Sequence, residues 1–255
     1  ATWPWNSAGK TLVSTTTGIA QQEGLLNINN KVSQYLGNGW TSEPLEKENL
    51  ITPRHLLTMT SGLNDESNWV IKSNLTYLAD AGTRWSYSNV FQKLIDVVAA
   101  SSNQTFENYF NAKLKNKIGM DGFWNFGTIF TIYHSNTRSI ARFGLLFLNK
   151  GKWKNEQIIN ETYLNEAIST SQNINPSYGY LWWLNGKSKY MVPGSQTVYP
   201  TALVPNAPAD MYAAMGAEDQ RIYVIPSKNM VVIRMGDASD PQNPNFALSG
   251  FDAAL

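Results

Sequence analysis

Helical and strand patterns are segregated along this chain, and that segregation is its strongest constraint on the fold. Up to residue 169 the apolar residues recur at three- and four-residue spacing, which is typical of amphipathic helices. After residue 178 the pattern changes to short apolar or alternating runs, which is typical of strands. Helices followed by antiparallel strands indicate an α+β fold rather than a doubly wound parallel sheet.

The individual segments have recognisable ends. Helices are predicted over 11–23, 53–60, 86–100, 106–118, 137–150 and 159–169, and glycines end several of them. Strands are predicted over 178–184, 211–215, 221–225 and 230–235, with a hairpin connection over 226–229. A last helix is expected over 246–255.

The composition excludes several classes of protein. Hydrophobic residues make up 42% of the 255 residues, enough for the core of one large domain or two small ones. The chain has no Cys and two separated His, which argues against a disulfide scaffold, a thiol nucleophile and a zinc site. The net charge is +1 with no basic stripe, so neither a nucleic acid nor an anionic membrane is expected as partner. No apolar segment is long enough for a transmembrane helix, and no cofactor is expected.

Ser7 and Lys10 form the first candidate chemical pair. At the start of a helix their side chains lie on one face, one turn apart. The helix N-terminus favours negative charge on the Ser7 oxygen, and a desolvated Lys10 can take the Ser7 proton. A Ser-x-x-Lys match is expected by chance roughly once in a chain of this length, so the pair alone does not establish a site.

Tyr87 and Asn89 form the second candidate, at the junction between a loop and a helix. The Tyr87 phenol can relay a proton to a leaving group, and the Asn89 amide can donate a hydrogen bond to a substrate carbonyl. The same spacing recurs at Tyr109–Asn111 and Tyr163–Asn165, inside helical patterns where tyrosine belongs to the core.

Gly216 and Ala217 form the third candidate, where a predicted strand ends. A glycine on an edge strand allows a substrate to approach the backbone, and the N–H groups of Ala217 and Ser7 can supply an oxyanion hole. Alone, this is a strand end with a small residue. Trp85 and Trp183 lie next to these motifs and are expected at the lip of a substrate pocket.

In this order, the motifs resemble the penicillin-recognising serine hydrolases, above all the class C β-lactamase-like group of esterases and amide hydrolases. The segments that carry the resemblance are Ser7–Lys10, Ile51–Leu63, Tyr87–Asn89, Ala141–Leu146, Tyr178–Trp183 and Gln220–Pro226. The resemblance implies an antiparallel sheet flanked by helices with an inserted helical lobe. Residues 1–26 and 170–255 would then form the sheet lobe, and residues 27–169 the mainly helical lobe.

The resemblance also has implications for the two ends of the chain. Members of the superfamily carry an N-terminal helix and two strands ahead of the Ser-x-x-Lys motif, which here begins at Ser7. N-terminal strands are therefore expected to be missing, and residues 1–255 alone are expected to fold poorly. An extracytoplasmic location is a further implication of the resemblance.

Residue by residue, the resemblance implies an acyl-enzyme mechanism. Ser7 would be the acylated nucleophile, Lys10 its general base and Tyr87 the second acid or base. Asn89 would contact the substrate and Lys10, and the N–H groups of Ser7 and Ala217 would bind the oxyanion.

One position departs from this pattern. The superfamily usually has Lys or His two residues before the glycine of its third motif, whereas this chain has Ala214. That cation helps to hold a substrate carboxylate, a contact that contributes on the order of 1.5–3 kcal/mol. A small neutral ester or amide is therefore the expected substrate, unless Arg221 or Lys189 supplies the missing charge.

Two other functions and the oligomeric state remain open. The altered third motif also fits a catalytically silent protein that binds peptide-like or cell-wall ligands on the same scaffold. The acidic pairs Asp65–Glu66 and Glu218–Asp219 allow a glycosidase, which needs two carboxylates facing one cleft.

Overall fold

A computed structural model describes residues 1–127, 129–242 and 252 of the chain. The helices in this part are α1 Lys10–Gln22, α2 Ser33–Leu36, α3 Leu45–Glu48, α4 Pro53–Leu57, α5 Lys93–Ser102, α6 Phe106–Phe110, α7 Thr137–Leu148 and α8 Glu161–Ala167. The strands are β1 Trp3–Pro4, β2 Phe123–Phe126, β3 Thr131–Ser135, β4 Lys152–Trp153, β5 Glu156–Gln157, β6 Trp183–Leu184, β7 Tyr212–Gly216, β8 Gln220–Ile225 and β9 Met230–Arg234. Apart from Asp252, the helix expected over 246–255 lies outside the described residues.

The last four strands form one antiparallel sheet in the order β6-β7-β8-β9. In its centre Ala213 pairs with Tyr223, and Tyr223 pairs with Val232. Helix α7 packs on this sheet so closely that a Cβ atom on Gly144 would lie 2.5 Å from Val231. An antiparallel sheet covered by helices confirms the predicted α+β class.

A second sheet, in the order β1-β3-β2, is absent from the sequence prediction. Its register pairs Trp3 with Ser135 and Phe123 with His134. Strands β2 and β3 lie within residues 27–169, yet β3 pairs with β1 from the other predicted lobe. The division into two lobes stays a prediction, but residues 27–169 are not helical throughout.

Helix α1 runs through the core although many of its residues are polar. The hydroxyls of Thr15, Thr16 and Thr17 donate to backbone carbonyls one turn back, at 2.7–2.8 Å, so none of them is buried without a partner. On another face, a Cβ atom on Gly18 would lie 2.3 Å from the Tyr163 ring, so only glycine fits that contact. The helix that carries Lys10 is thereby buried with its hydroxyls paired, and it packs closely on Tyr163 of α8.

Candidate active site

Ser7 lies in a tight 3-10 turn, Asn6–Gly9, that leads directly into α1. The preceding residues anchor this turn: the Trp5 N–H donates to the Tyr133 carbonyl at 2.8 Å, and the Trp5 indole donates to the Ser135 hydroxyl at 2.7 Å. The β2–β3 hairpin therefore fixes Ser7 at the N-terminal end of α1. The partial positive charge of that end favours a developing negative charge on the Ser7 oxygen.

Lys10 and Ser7 are in direct contact, as the sequence spacing predicts. Lys10 Nζ lies 2.8 Å from Ser7 Oγ, and the Lys10 side chain is buried. The ammonium group lies 4.7 Å from the ring centroids of both Tyr87 and Phe91. Burial lowers the pKa of Lys10 from 10.5 to about 7, because the charged form loses its hydration. A substantial fraction of Lys10 is therefore neutral at physiological pH and able to accept the Ser7 proton.

Tyr87 interacts with the side chain of the same serine. Burial raises the pKa of the Tyr87 phenol far above its usual value, and an interaction with the Ser7 side chain opposes that rise only in part. The phenol consequently keeps its proton at neutral pH. In this state Tyr87 can donate a hydrogen bond or a proton, but it is a poor candidate for the base that activates Ser7.

Trp85 and Trp183 lie behind Tyr87 rather than at a pocket lip. Their exposed fractions are 0% and 1%, and neither belongs to the cavity wall described below. The Trp183 ring stacks on Tyr87 with centroids 5.7 Å apart, and Trp85 lies 6.4 Å from the Tyr87 ring. Packing indoles against the phenol removes a large apolar area from water and holds the Tyr87 ring in place.

Asn89 lines the cavity, but its amide is already engaged. Nδ2 donates to the carbonyl oxygens of Asn68 and Ile129, each at 3.2 Å, and Gln92 Nε2 donates to Ile129 at 2.8 Å. Both amide hydrogens of Asn89 are used in these bonds. The expected contacts of Asn89 with a substrate and with Lys10 stay predictions. Asn89 instead ties the loop at Asn68 to the tip of the β2–β3 hairpin. Residues 89–92 form a 3-10 turn here, where the sequence predicts regular helix.

Gly216 ends β7 directly against the turn that carries Ser7. A Cβ atom at this position would lie 2.5 Å from the Trp5 carbonyl oxygen and 3.1 Å from the Ser7 nitrogen, so a larger residue would displace the nucleophile. The next residue, Ala217, accepts a hydrogen bond from Asn6 Nδ2 at 3.0 Å. Ser7 and Ala217 both line the cavity, and their N–H groups donate to no other group within the described residues. Two free N–H groups beside a serine are suited to bind an oxyanion.

Neither candidate replacement for the missing cation reaches this cavity. Arg221 is fully buried and donates to the Gly216 carbonyl at 2.6 Å, on the far side of the strand end. Lys189 and Ala214 are not part of the cavity wall. Of the described residues that line the cavity, only Lys10 and Glu218 carry ionisable side chains of Lys, Arg, Asp or Glu type. A substrate carboxylate would therefore meet no permanent cation here.

The cavity has a volume of about 280 Å³. Its wall includes three apolar side chains and three amides. These are Phe91, Phe130 and Ile132, and Asn6, Asn89 and Gln92. The sequence motifs do not reveal Phe130 or Ile132, because they reach the site through the β2–β3 hairpin. Asn6 precedes Ser7 and Glu218 follows Ala217. This adjacency to motif residues is the one sequence signal that points to them as wall residues.

The carboxylate pairs considered for a glycosidase do not meet in this cleft. Asp65 binds Arg84 at 3.0 Å, and Asp219 binds Arg221 at 3.0 Å. Across residues 1–127, 129–242 and 252, no group of three or more His, Asp or Glu side chains is placed to hold a metal ion. None of the helices in this part of the chain combines the length and apolar character that crossing a membrane requires.

Ser7 and Lys10 line the cavity, and Tyr87 interacts with both of them. Comparison of the whole chain identifies the family to which this arrangement belongs. Residues 2–247 match the family model described as Beta-lactamase. The chain therefore belongs to the Beta-lactamase family, which confirms the resemblance drawn from its motifs. A comparison of the sequence with curated proteins gave no match.

Several solved structures share the fold of this chain at low sequence identity. A beta-lactamase from Mycobacterium bovis superposes with a TM-score of 0.70 at 19% identity, covering 96% of this chain and 82% of that one. A penicillin-binding protein from Bacillus halodurans gives 0.68 at 15%, covering 100% and 85%. A D-stereospecific amidohydrolase from Streptomyces sp. gives 0.63 at 12%, covering 91% and 80%. At these identities the likeness establishes the fold alone.

Proposed function

We propose that this protein is a serine hydrolase that cleaves a neutral ester or amide through an acyl-enzyme on Ser7. One observation carries the proposal: Lys10 Nζ lies 2.8 Å from Ser7 Oγ in a buried environment that lowers the pKa of Lys10 to about 7. A buried lysine with this pKa is matched to the removal of a serine proton near neutral pH.

Acylation follows from the positions of the three side chains. Neutral Lys10 takes the proton from Ser7 as Oγ forms a bond to the substrate carbonyl carbon. The carbonyl electron pair moves to the oxygen, which the N–H groups of Ser7 and Ala217 stabilise. Tyr87 then donates its proton to the leaving oxygen or nitrogen as that bond breaks, and the Lys10 ammonium returns a proton to Tyr87.

In deacylation, water is the nucleophile and Ser7 Oγ is the leaving group. Water loses one proton to neutral Lys10 as its oxygen adds to the acyl carbon. The bond to Ser7 Oγ then breaks, and Oγ recovers a proton from the Lys10 ammonium. The product is a carboxylic acid, and the enzyme returns to its starting state.

The charge of the cavity supports a neutral substrate. Beyond Lys10, the charged side chain on the described wall is Glu218, which repels a carboxylate. The apolar side chains of Phe91, Phe130 and Ile132 suit an acyl or leaving group of modest size, given the cavity volume of about 280 Å³. The D-stereospecific amidohydrolase that shares this fold supports including amides among the substrates proposed.

The test is covalent labelling of Ser7. Incubation with a fluorophosphonate followed by intact-mass measurement should give one adduct, which peptide mapping places on Ser7. The Ser7→Ala variant should lose both the adduct and the hydrolysis of an uncharged activated ester. Ser101→Ala is the matched control, since Ser101 donates only within its own helix, to the Val98 carbonyl. An adduct on another residue, or unchanged hydrolysis in Ser7→Ala, refutes the proposal.

A second candidate is a silent protein that binds a peptide-like ligand without turnover. Two observations favour it: Ala214 replaces the usual cation, and the Asn89 amide hydrogens are engaged within the protein. It predicts that Ser7 is labelled by a fluorophosphonate while a broad panel of esters and amides is bound and left intact. Multiple turnovers of any member of the panel exclude it.

A further inference from the structure

Arg221 is the most deeply buried cation of the described residues and lies directly behind the candidate oxyanion site. Its exposed fraction is 0%, and Nη1 donates to the Gly216 carbonyl oxygen at 2.6 Å. Two carboxylates hold the guanidinium in this position: Asp219 at 3.0 Å and Asp252 at 3.0 and 3.1 Å. Burying a guanidinium costs free energy even when it is paired, so this arrangement needs an explanation.

The Gly216 carbonyl and the Ala217 N–H belong to the same peptide group. Arg221 therefore binds one end of a peptide dipole whose other end is a proposed donor to the oxyanion. A positive charge on the carbonyl oxygen draws electron density from the peptide nitrogen and makes the N–H a stronger donor. The same bond fixes the plane of the peptide, and with it the direction of the Ala217 N–H.

The neighbouring backbone shows how firmly this peptide is held. Glu218 and Asp219 both have left-handed backbone conformations, with φ of +60° and +57°. Residues other than glycine rarely adopt such conformations. Asp219 is kept there by Arg221 and by the Ser239 N–H, which donates to it at 2.9 Å. On the cavity side, Asn6 Nδ2 donates to the Ala217 carbonyl. The peptide groups on both sides of Ala217 are thus bound by side chains, while its N–H is left open.

The charge of Arg221 also reaches the reacting groups. Its positive charge lowers the pKa of Tyr87, against the larger rise caused by burial. Tyr87 interacts with Ser7, so a charge that acts on the Tyr87 phenol also acts on an oxyanion formed at Ser7, where the low dielectric of the surroundings screens it weakly.

We propose that Arg221 is a positioning residue for the oxyanion hole: it orients and polarises the Gly216–Ala217 peptide so that the Ala217 N–H binds the developing oxyanion. This inference rests on the proposed function, since it assumes an acyl-enzyme on Ser7. It goes beyond that function by giving a role to a side chain that never touches the substrate.

The test is the infrared carbonyl band of the acyl-enzyme, because its position reports how strongly the oxyanion hole polarises the acyl group. An isotope-labelled, slowly deacylating nitrophenyl ester supplies the acyl group, and the unlabelled ester supplies the reference spectrum. In Arg221→Lys we expect the band at higher wavenumber than in the native protein. We also expect acylation slowed about tenfold to a hundredfold with little change in KM, as for a weakened oxyanion donor.

The matched control is Arg234→Lys. Arg234 donates to the carbonyls of Glu218 and Asp219 in the same turn, at 3.0 and 3.1 Å, but not to Gly216. Its band should stay at the native position. If Arg234→Lys shifts the band as much as Arg221→Lys does, the effect belongs to the turn as a whole and the inference is wrong.

A second variant tests the sign of the effect and covers the case in which Arg221→Lys does not fold. Asp252→Asn keeps the shape of the pocket around the guanidinium and removes a negative charge from it, so Arg221 should polarise the peptide more strongly. The band should then move to lower wavenumber. An unchanged band or a shift to higher wavenumber overturns the inference.

The outcomes separate this inference from the proposed function. A native protein that forms no acyl-enzyme with the ester refutes both. A native protein that acylates on Ser7, with a band that Arg221→Lys and Asp252→Asn leave in place, refutes the role of Arg221 alone.

Discussion

We expect the buried Lys10 side chain to lower the stability of the folded protein. Replacing it with methionine should show by how much. A fall in the pKa of Lys10 from 10.5 to about 7 corresponds to about 5 kcal/mol of lost stability when the group is charged. Methionine fills a similar volume without a charge. It gives up the Lys10 contact with Ser7, a hydrogen bond that contributes about 1 kcal/mol. The Lys10→Met variant should therefore be about 4 kcal/mol more stable than the native protein at about pH 6.

This advantage must depend on pH, and the sign follows from proton binding. Between about pH 7 and pH 10.5 the unfolded chain holds a proton on Lys10 that the folded chain has released. The native protein consequently becomes more stable as pH rises through this window, whereas the variant has no such group. The advantage of Lys10→Met should shrink to about 1 kcal/mol at about pH 9.

Urea unfolding of both proteins at the two pH values measures the difference directly, from midpoints and slopes. Lys31→Met is the control, because Lys31 is exposed in a loop and should give no pH-dependent difference. An advantage that is the same at both pH values, or a variant less stable than the native protein at the lower pH, refutes the reasoning. Lys10 would then keep its proton in the folded state at both pH values.

Three further predictions concern activity. The acylation rate with an uncharged ester should rise about tenfold per pH unit below about pH 7 and then level off. The reason is that neutral Lys10 is the base, while the raised pKa of Tyr87 keeps the phenol protonated. A rate that falls again just above neutral pH contradicts this. Gly216→Ala should slow acylation about a hundredfold, because its Cβ atom would lie 2.5 Å from a backbone oxygen, whereas Gly9→Ala, whose nearest contact is 3.7 Å, should retain activity. Glu218→Gln should raise turnover of an anionic ester about fivefold relative to its neutral analogue, because it removes about 1 kcal/mol of charge repulsion. Initial rates on the two esters measure this ratio. An unchanged ratio argues that Glu218 does not face the substrate.

The elements with long or clear periodicity were predictable from sequence alone. Helix α1 lies at Lys10–Gln22 where 11–23 is predicted, and β8 lies at Gln220–Ile225 where 221–225 is predicted. Helix α1 is buried from Lys10 to Ala20 and β8 is buried along its whole length, so their local pattern and their tertiary environment agree. The contact between Ser7 and Lys10 was predictable for the same reason, since it joins residues one helical turn apart.

The β2–β3 hairpin was not predictable, because its strands bury too little to leave a pattern. Of Phe123–Phe126 only Trp124 is buried, so the alternation that marks a strand covers a single position. The strands form because Phe123–Phe126 pairs with Thr131–Ser135, and Thr131–Ser135 pairs in turn with Trp3–Pro4, far away in sequence. With the hairpin, the prediction also missed Phe130 and Ile132 of the cavity wall.

The sequence by itself determined the family, the fold class and the candidate pair Ser7 and Lys10, because these depend on spacing and order along the chain. Tertiary structure decided the properties that depend on burial and on distant partners. It lowers the pKa of Lys10 by surrounding the ammonium with apolar rings, and it engages the Asn89 amide with backbone carbonyls. It also places Trp85 and Trp183 behind Tyr87 instead of at the cavity mouth. Desolvation and long-range hydrogen bonds have no local signature, so no reading of spacing alone reveals them.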